Sequence, residues 1–119
     1  MLRTGIDIIE IYRVDQVIIN RGERFLKRVY TKKELSDANG RTPSLAARLA
    51  AKEAVSKALG CGIGTVSWHD IEISRDKNRM PVLRLHGEAL AFATKLGLTE
   101  WTLSLSHTHD HAAAVVVAI

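Results

Sequence analysis

The sequence predicts an α+β fold: mostly antiparallel sheet packed by one long helix and a second helix. Three observations carry this. Two pairs of segments, apolar or alternating between apolar and polar residues, are each joined by a short polar turn, the pattern of hairpins. Two helical stretches are bounded by a proline or by glycines. Strands and helices segregate instead of alternating regularly, which argues against a parallel sheet.

Taken in order, Gly5-Ile-Asp-Ile-Ile-Glu-Ile11 is β-branched and glycine-bounded, so it reads as the first strand. Val14 to Asn20 reads as a short helix running to Gly22. Thr31 followed by Glu34 makes a capping box that opens a helix of about two turns. Thr42 as N-cap and Pro43 at the first helical position then open a Leu- and Ala-rich helix over 43–59, closed by Gly60. Cys61 to Thr65 is a loop. Asp70–Arg75 and Val82–His86 form a hairpin across Asp76-Lys-Asn-Arg-Met-Pro81. Gly87 to Gly97 is the second long helix, with Leu90, Ala91, Ala93 and Leu96 inward. Trp101–Ser106 and Ala112–Ile119 form a second hairpin across His107-Thr-His-Asp-His111. No linker, repeat or low-complexity tract interrupts the chain, so residues 1–119 are expected to form one domain.

Composition narrows the class. A chain of 119 residues, 46% hydrophobic and 25% charged, is neither disordered nor fibrous. It buries roughly 65% of its unfolded surface and needs no staple. The single cysteine, Cys61, forms no internal disulfide, which fits a reducing compartment and predicts a cytoplasmic protein. The start lacks the pattern of a signal peptide, and no apolar stretch reaches the roughly 18 residues of a membrane span. Residues 1–57 hold 12 basic and 7 acidic side chains, against 5 and 6 in 58–119. Arg21 to Lys33 alone carries six bases and one acid. Such a segment is either a solvated helix face or a surface for nucleic acid, a phosphorylated ligand or an acidic protein.

Three places could carry chemistry. Asp7 shares a strand face with Gly5, Ile9 and Ile11, where a carboxylate is costly unless a cation, hydrogen-bond donors or edge water satisfy it. On the long helix, Leu45, Leu49, Ser56 and Leu59 form the buried stripe, and Lys52 falls inside it. Glu53 and Lys57 lie on the flank at i, i+4, and Arg48 stands four residues before Lys52. Ordinary i, i+4 pairs worth ~0.3 kcal/mol each would account for Glu53 and Lys57, but not for a lysine in an apolar stripe. An acid among three bases on one helix suits a metal-plus-phosphate site, the carboxylate taking Mg²⁺ and the cations taking phosphoryl oxygens. In the turn His107–His111 the open readings are a transition-metal site, one histidine serving a phosphate or a proton transfer, and exposed polar residues. A turn points the three histidines apart and no fourth ligand is visible. Gly60-Cys-Gly-Ile-Gly64 follows a helix instead of leading into one, so it is neither a P-loop nor a dinucleotide fingerprint.

Gly5-Ile-Asp7-Ile-Ile-Glu10, Arg48-Leu-Ala-Ala-Lys-Glu53-Ala-Val-Ser-Lys57-Ala-Leu-Gly60 and Ser106-His-Thr108 together resemble the holo-(acyl-carrier-protein) synthase family. These are the small 4′-phosphopantetheinyl transferases of bacterial fatty-acid synthesis. The likeness covers essentially the whole chain, including Arg24–Arg28, Asp70-Ile-Glu72 and the Ala-rich last strand. It implies a 4′-phosphopantetheinyl transferase-like fold and transfer of 4′-phosphopantetheine from coenzyme A to a serine of apo-acyl carrier protein, with 3′,5′-ADP leaving. It also implies Asp7, Glu53 and Lys57 as the catalytic set. Asp7 and Glu53 would hold Mg²⁺ with the CoA diphosphate, and Lys57 would contact that diphosphate. Arg48, Gly60, His107 and Thr108 would bind CoA. Arg13, Arg24 and Arg28, with Phe25 as apolar anchor, would meet the acidic recognition helix of the carrier. The resemblance further implies a homotrimer with each site between protomers. It leaves two bases open, Glu53 and a water on the metal.

The chain departs from the family pattern at Arg79-Met80-Pro81, where Gly-Lys-Pro is usual, at His111, where an aromatic is common, and at Cys61, where threonine is frequent. A polyketide or peptide-synthesis carrier is the alternative substrate. A non-enzymatic nucleic-acid-binding module is the distant alternative; it would want more aromatics among the bases than Phe25 and Tyr30, and would leave Asp7 and Glu53 without purpose. The strand Ala112–Ile119 is apolar on both faces, so a second layer is expected over it: the Gly87–Gly97 helix or another protomer.

Overall fold

A computed structural model describes all 119 residues. Strand β1 (Arg3–Glu10) runs directly into helix α1 (Ile11–Arg21), and Gly22 separates α1 from α2 (Glu23–Val29). Helices α3 (Lys32–Ala38) and α4 (Thr42–Leu59) follow, then a 3₁₀ turn at Trp68–Asp70 and the hairpin β2 (Ile71–Arg75) and β3 (Pro81–Leu85). Helix α5 (Gly87–Leu96), β4 (Trp101–His107) and β5 (His111–Ala118) complete the chain. All pairing is antiparallel, in a three-stranded sheet of order β1-β5-β4 and a separate β2-β3 sheet. The α+β class follows as expected.

Several boundaries differ from the sequence expectation. Ile11 opens α1 instead of ending the strand, because its N–H is taken by Asp110 O at the β4–β5 turn. Residues 23–29 are a helix, not only a basic segment; Phe25, Leu26 and Val29 give it an apolar side. Arg41, not Thr42, is the N-cap of α4, and the Thr42 hydroxyl donates to Asp15 on α1 at 2.6 Å instead of capping. On α5 the inward residues are Ala89, Phe92, Ala93 and Leu96, while Leu90 and Ala91 face out. Ala89 and Ala93 fit against the core with Phe92 and Leu96 beside them, which turns Leu90 outward.

Helix α4 is the centre of the molecule. It lies between the inner face of β1-β5-β4 and the β2-β3 hairpin, so it is buried nearly all round and not along one stripe. Alanines at 47, 50, 51, 54 and 58 let it approach the sheet, whose own inner positions include Ala112 and Ala114. The tightest point is Gly5. A Cβ there would stand 1.8 Å from the carbonyl oxygen of Ala54. Only glycine fits between strand and helix at this point.

The other side of α4 faces the hairpin with two cations. Lys52 and Glu34 are both fully buried and paired at 2.8 Å. The ammonium also donates to Trp68 O at 2.8 Å and Ile71 O at 2.6 Å, which uses its three protons. The Glu34 carboxylate accepts from Thr31 N and Ile73 N, each at 2.8 Å, while Thr31 completes the capping box. Lys52 therefore joins α3, α4 and β2, and the expectation that it serves phosphate is corrected. A charge in an apolar stripe is tolerated because the pair is satisfied at every donor and acceptor.

The outer face of the three-stranded sheet has no cover from its own chain. Ile6 and Ile8 are each 65% exposed and Val115 is 38% exposed, whereas Val116 on the opposite face is buried. Helix α5 packs against α4 and the 3₁₀ turn, not over this face.

Gly5→Ala should destabilise the protein by about 3 kcal/mol or more, beyond the usual overpacking range, because the clashing atom is backbone. Thermal unfolding monitored by circular dichroism checks this; an unchanged Tm would show that strand and helix separate freely.

Candidate active site

One line of α4 escapes burial. Leu49, Glu53 and Lys57, at i, i+4 and i+8, lie on the flank facing β1, and their neighbours on the helix are covered. Because Gly5 brings β1 onto α4, the side chain two residues on, Asp7, meets this line. Lys57 Nζ stands 3.1 Å from Asp7 Oδ1 and donates to Ile6 O at 2.9 Å. Lys57 is thus bound to the strand, not to Glu53 as a simple helical pair. Burial pushes the Glu53 carboxyl above its usual range, and the Asp7 charge pushes it further against the opposing pull of Lys57.

A half-buried carboxylate beside a second carboxylate and one lysine suits a divalent cation. Mg²⁺ is commonly bound by one or two protein carboxylates together with substrate phosphates, and Asp7 and Glu53 fit that donor set. No group of three or more His, Cys, Asp or Glu side chains is arranged around a common point.

A cleft of about 520 Å³ opens at the N-terminal end of α4. Arg41, Ser44, Arg75, Arg79 and His107 supply its polar groups and Leu105 part of its floor; no acid lines it. Arg41, Ser44 and Arg75 were not singled out by the sequence reading. They come from the start of α4 and the end of β2, and no local pattern joins them. A second cleft, about 660 Å³, is walled by Arg21, Arg24, Phe25, Arg28, Val29 and Trp68. It gathers three of the expected partner-binding residues. Arg13 is not among its walls and pairs with Glu10 at 3.2 Å on α1. Leu49 packs into the same small clusters as Phe25, so the uncovered line of α4 leads from this cleft towards Glu53.

The remaining expected residues separate. Arg48 is only 1% exposed; its Nε donates to Ile73 O at 3.0 Å and its Nη1 to the carbonyl and hydroxyl of Ser44. In this arrangement Arg48 supports the cleft wall from behind, through Ser44. Gly60 closes α4 in the left-handed conformation, φ 78°, with its N–H on Lys57 O, which gives it a backbone role. The Thr108 hydroxyl accepts from Asp110 N and His111 N and shapes the turn. The three histidines do not converge: His107 lines the basic cleft, whereas His109, which meets Asp110, and His111 line a separate cleft with Tyr12 and Asp15.

Residues 3–116 match the family model of the 4′-phosphopantetheinyl transferase superfamily. The chain is 45% identical to a holo-[acyl-carrier-protein] synthase of Herpetosiphon aurantiacus, an alignment covering 100% of this chain and 99% of the relative. It is 51% identical to one of Moorella thermoacetica, covering 98% and 93%. Among solved structures, holo-[acyl-carrier-protein] synthase of Helicobacter pylori in complex with coenzyme A superposes with a TM-score of 0.89 at 32% identity, covering 98% of this chain and 99% of that one. The chain belongs to the 4′-phosphopantetheinyl transferase superfamily, within the holo-[acyl-carrier-protein] synthase family, and is a transferase.

The raised Glu53 pKa has a definite sign in stability. An acid whose folded pKa lies above its unfolded one loses stability as pH rises through that window. Glu53→Gln should therefore be more stable than the wild type at neutral pH without metal, and the difference should close below the ordinary carboxylate range. Added Mg²⁺ should raise the Tm of the wild type and leave that of Glu53→Gln nearly unchanged. Equal Mg²⁺ responses would remove Glu53 from the metal site.

Proposed function

We propose that this protein transfers the 4′-phosphopantetheine group of coenzyme A to a serine of apo-acyl carrier protein, serving fatty-acid synthesis in the cytoplasm. The observation that carries the site assignment is the meeting of Asp7, Glu53 and Lys57 at the one uncovered line of α4. The functional assignment rests on full-length similarity to holo-[acyl-carrier-protein] synthases.

Lys57 is half-exposed and within reach of a diphosphate once a cation takes over the charge of Asp7. Bound by Asp7 and Glu53, Mg²⁺ would supply charge neutralisation to that diphosphate. The serine oxygen forms a bond to the β-phosphorus as the bond from that phosphorus to the bridging oxygen breaks. The bridging oxygen keeps the electron pair and leaves as 3′,5′-ADP. The serine proton passes to Glu53 or to water beside it. Lys57 holds the charge that develops on the phosphoryl oxygens. The basic cleft at Arg24, Phe25 and Arg28 suits an acidic helix of the carrier, and the line through Leu49 would bring the carrier serine towards Glu53.

Assembly follows from the same geometry. Asp7 pairs with Ala114 and Ala114 with Leu105, so the acid pair and the His107 cleft lie on opposite edges of the sheet, about 10 Å apart in strand spacings and with α4 over both. One CoA would reach both more directly from two copies than around α4 of one copy. The bare Ile6, Ile8 and Val115 face would bring copies together, and a head-to-tail contact whose rotation closes gives a ring. We infer a homotrimer with each site shared.

The test is a turnover assay with apo-acyl carrier protein, CoA and Mg²⁺. Wild type should release 3′,5′-ADP, and Asp7→Asn should lose at least 10²-fold in kcat/KM while remaining folded. Arg24→Glu should raise KM for the carrier and spare KM for CoA, and the wild-type rate should fall with salt. No transfer to fatty-acid carrier protein, with transfer to a polyketide or peptide-synthesis carrier, would reassign the substrate.

A further inference from the structure

Arg79 sits where a hairpin asks for glycine. Asp76 to Arg79 makes a turn closed by Arg79 N on Asp76 O at 2.9 Å, and Asp76 N returns to Met80 O at 3.0 Å. The Asp76 carboxylate accepts from Asn78 N at 2.8 Å and from Met80 N at 3.0 Å. The residue after such a turn adopts a left-handed backbone, and Arg79 does so with φ 65°. A non-glycine residue there is strained, and strain of this kind persists where surroundings over-determine it, often at ligand sites. Nothing in the turn needs a side chain at this position. Its reason lies in where that side chain goes.

Arg79 lines the cleft at the α4 N-terminus together with Arg41, Arg75 and His107. Its carbonyl accepts from Arg75 Nη1 at 3.0 Å, which orients the second guanidinium, and Arg75 Nε is buried with no partner. Asp37, bound to Arg75 N and Lys33, does not line the cleft. Three guanidinium groups without a carboxylate are an unbalanced charge, and their planar forks match a phosphate dianion. CoA carries two anionic groups, the diphosphate and the 3′-phosphomonoester of its ribose. The diphosphate belongs with Lys57 and the acid pair, which leaves the monoester for this cleft.

We propose that Arg79 is a selectivity residue of this chain, contacting the 3′-phosphate of CoA and enabling the enzyme to favour CoA over 3′-dephospho-CoA. The inference rests on the proposed use of CoA. It assigns to Arg79 a contact that a glycine at this position would lack.

The experiment compares wild type with Arg79→Gly, which relieves the backbone strain and so keeps the fold. Steady-state assays measure kcat/KM for CoA and for 3′-dephospho-CoA, and calorimetry measures binding of 3′,5′-ADP and 5′-AMP without carrier or metal. The wild type should favour the 3′-phosphorylated member of each pair, and Arg79→Gly should reduce that preference about tenfold with no fall in Tm. Arg79→Lys should keep part of it. An unchanged preference in Arg79→Gly would overturn the proposal while leaving the transferase reading intact. A wild type that neither binds CoA nor turns it over would overturn both.

Discussion

The structure depends on one close approach, that of β1 to α4 at Gly5 and the Ala54 carbonyl. A helix held this near a strand needs small residues on both sides, which explains the run of alanines along α4 and those at 112 and 114 of β5. The contact brings Asp7 to Lys57 and sets it against Glu53. Without it the carboxylates of β1 and α4 would stand apart with water between them. Packing of the smallest side chains thus fixes the most demanding electrostatics.

Helix α4 divides its charges between two tasks. Lys52 and Arg48 point to the β2-β3 hairpin and spend their donors on Glu34, Ser44 and backbone carbonyls. Glu53 and Lys57 point to β1 and stay accessible. The buried pair joins helices and hairpin so that α4 has one orientation, and that orientation decides which line remains uncovered. A buried ion pair adds little net stability, but breaking it leaves an uncompensated charge, so it penalises alternative placements of the helix.

Much of this was legible in the sequence. The strand with Asp7, the helix 43–59 and both hairpins were visible from alternation, caps and breakers, and the resemblance assigned Asp7, Glu53 and Lys57 before they were seen together. The division of α4 was not. A wheel drawn on Leu45, Leu49 and Leu59 assumes one buried stripe, whereas α4 is covered on nearly every side, so burial alone could not separate a structural lysine from a functional one. Glu34 read as a helix cap because its capping role is local; its partner Lys52 is distant in sequence. Helix α2 was hidden by its charge, since six bases between 21 and 33 mask the apolar Phe25, Leu26 and Val29. The basic cleft is assembled from α4, the hairpin and β4, and no sequence window contains it.

In the proposed assembly the acid pair of one copy works with the His107 cleft of another. In the proposed ring the outward Ile6, Ile8 and Val115 would supply the contact, and the sheet separates the two halves within a single chain. The most direct measurement is complementation between two inactive proteins. One carries Glu53→Gln; the other carries Arg41→Glu with Arg79→Glu. Unfolded together and refolded as mixed oligomers, each supplies the half that the other lacks. A ring of shared sites returns about one quarter of wild-type activity from an equal mixture. Mixed oligomers with no more activity than the two parents would place each complete site within one chain and contradict the account.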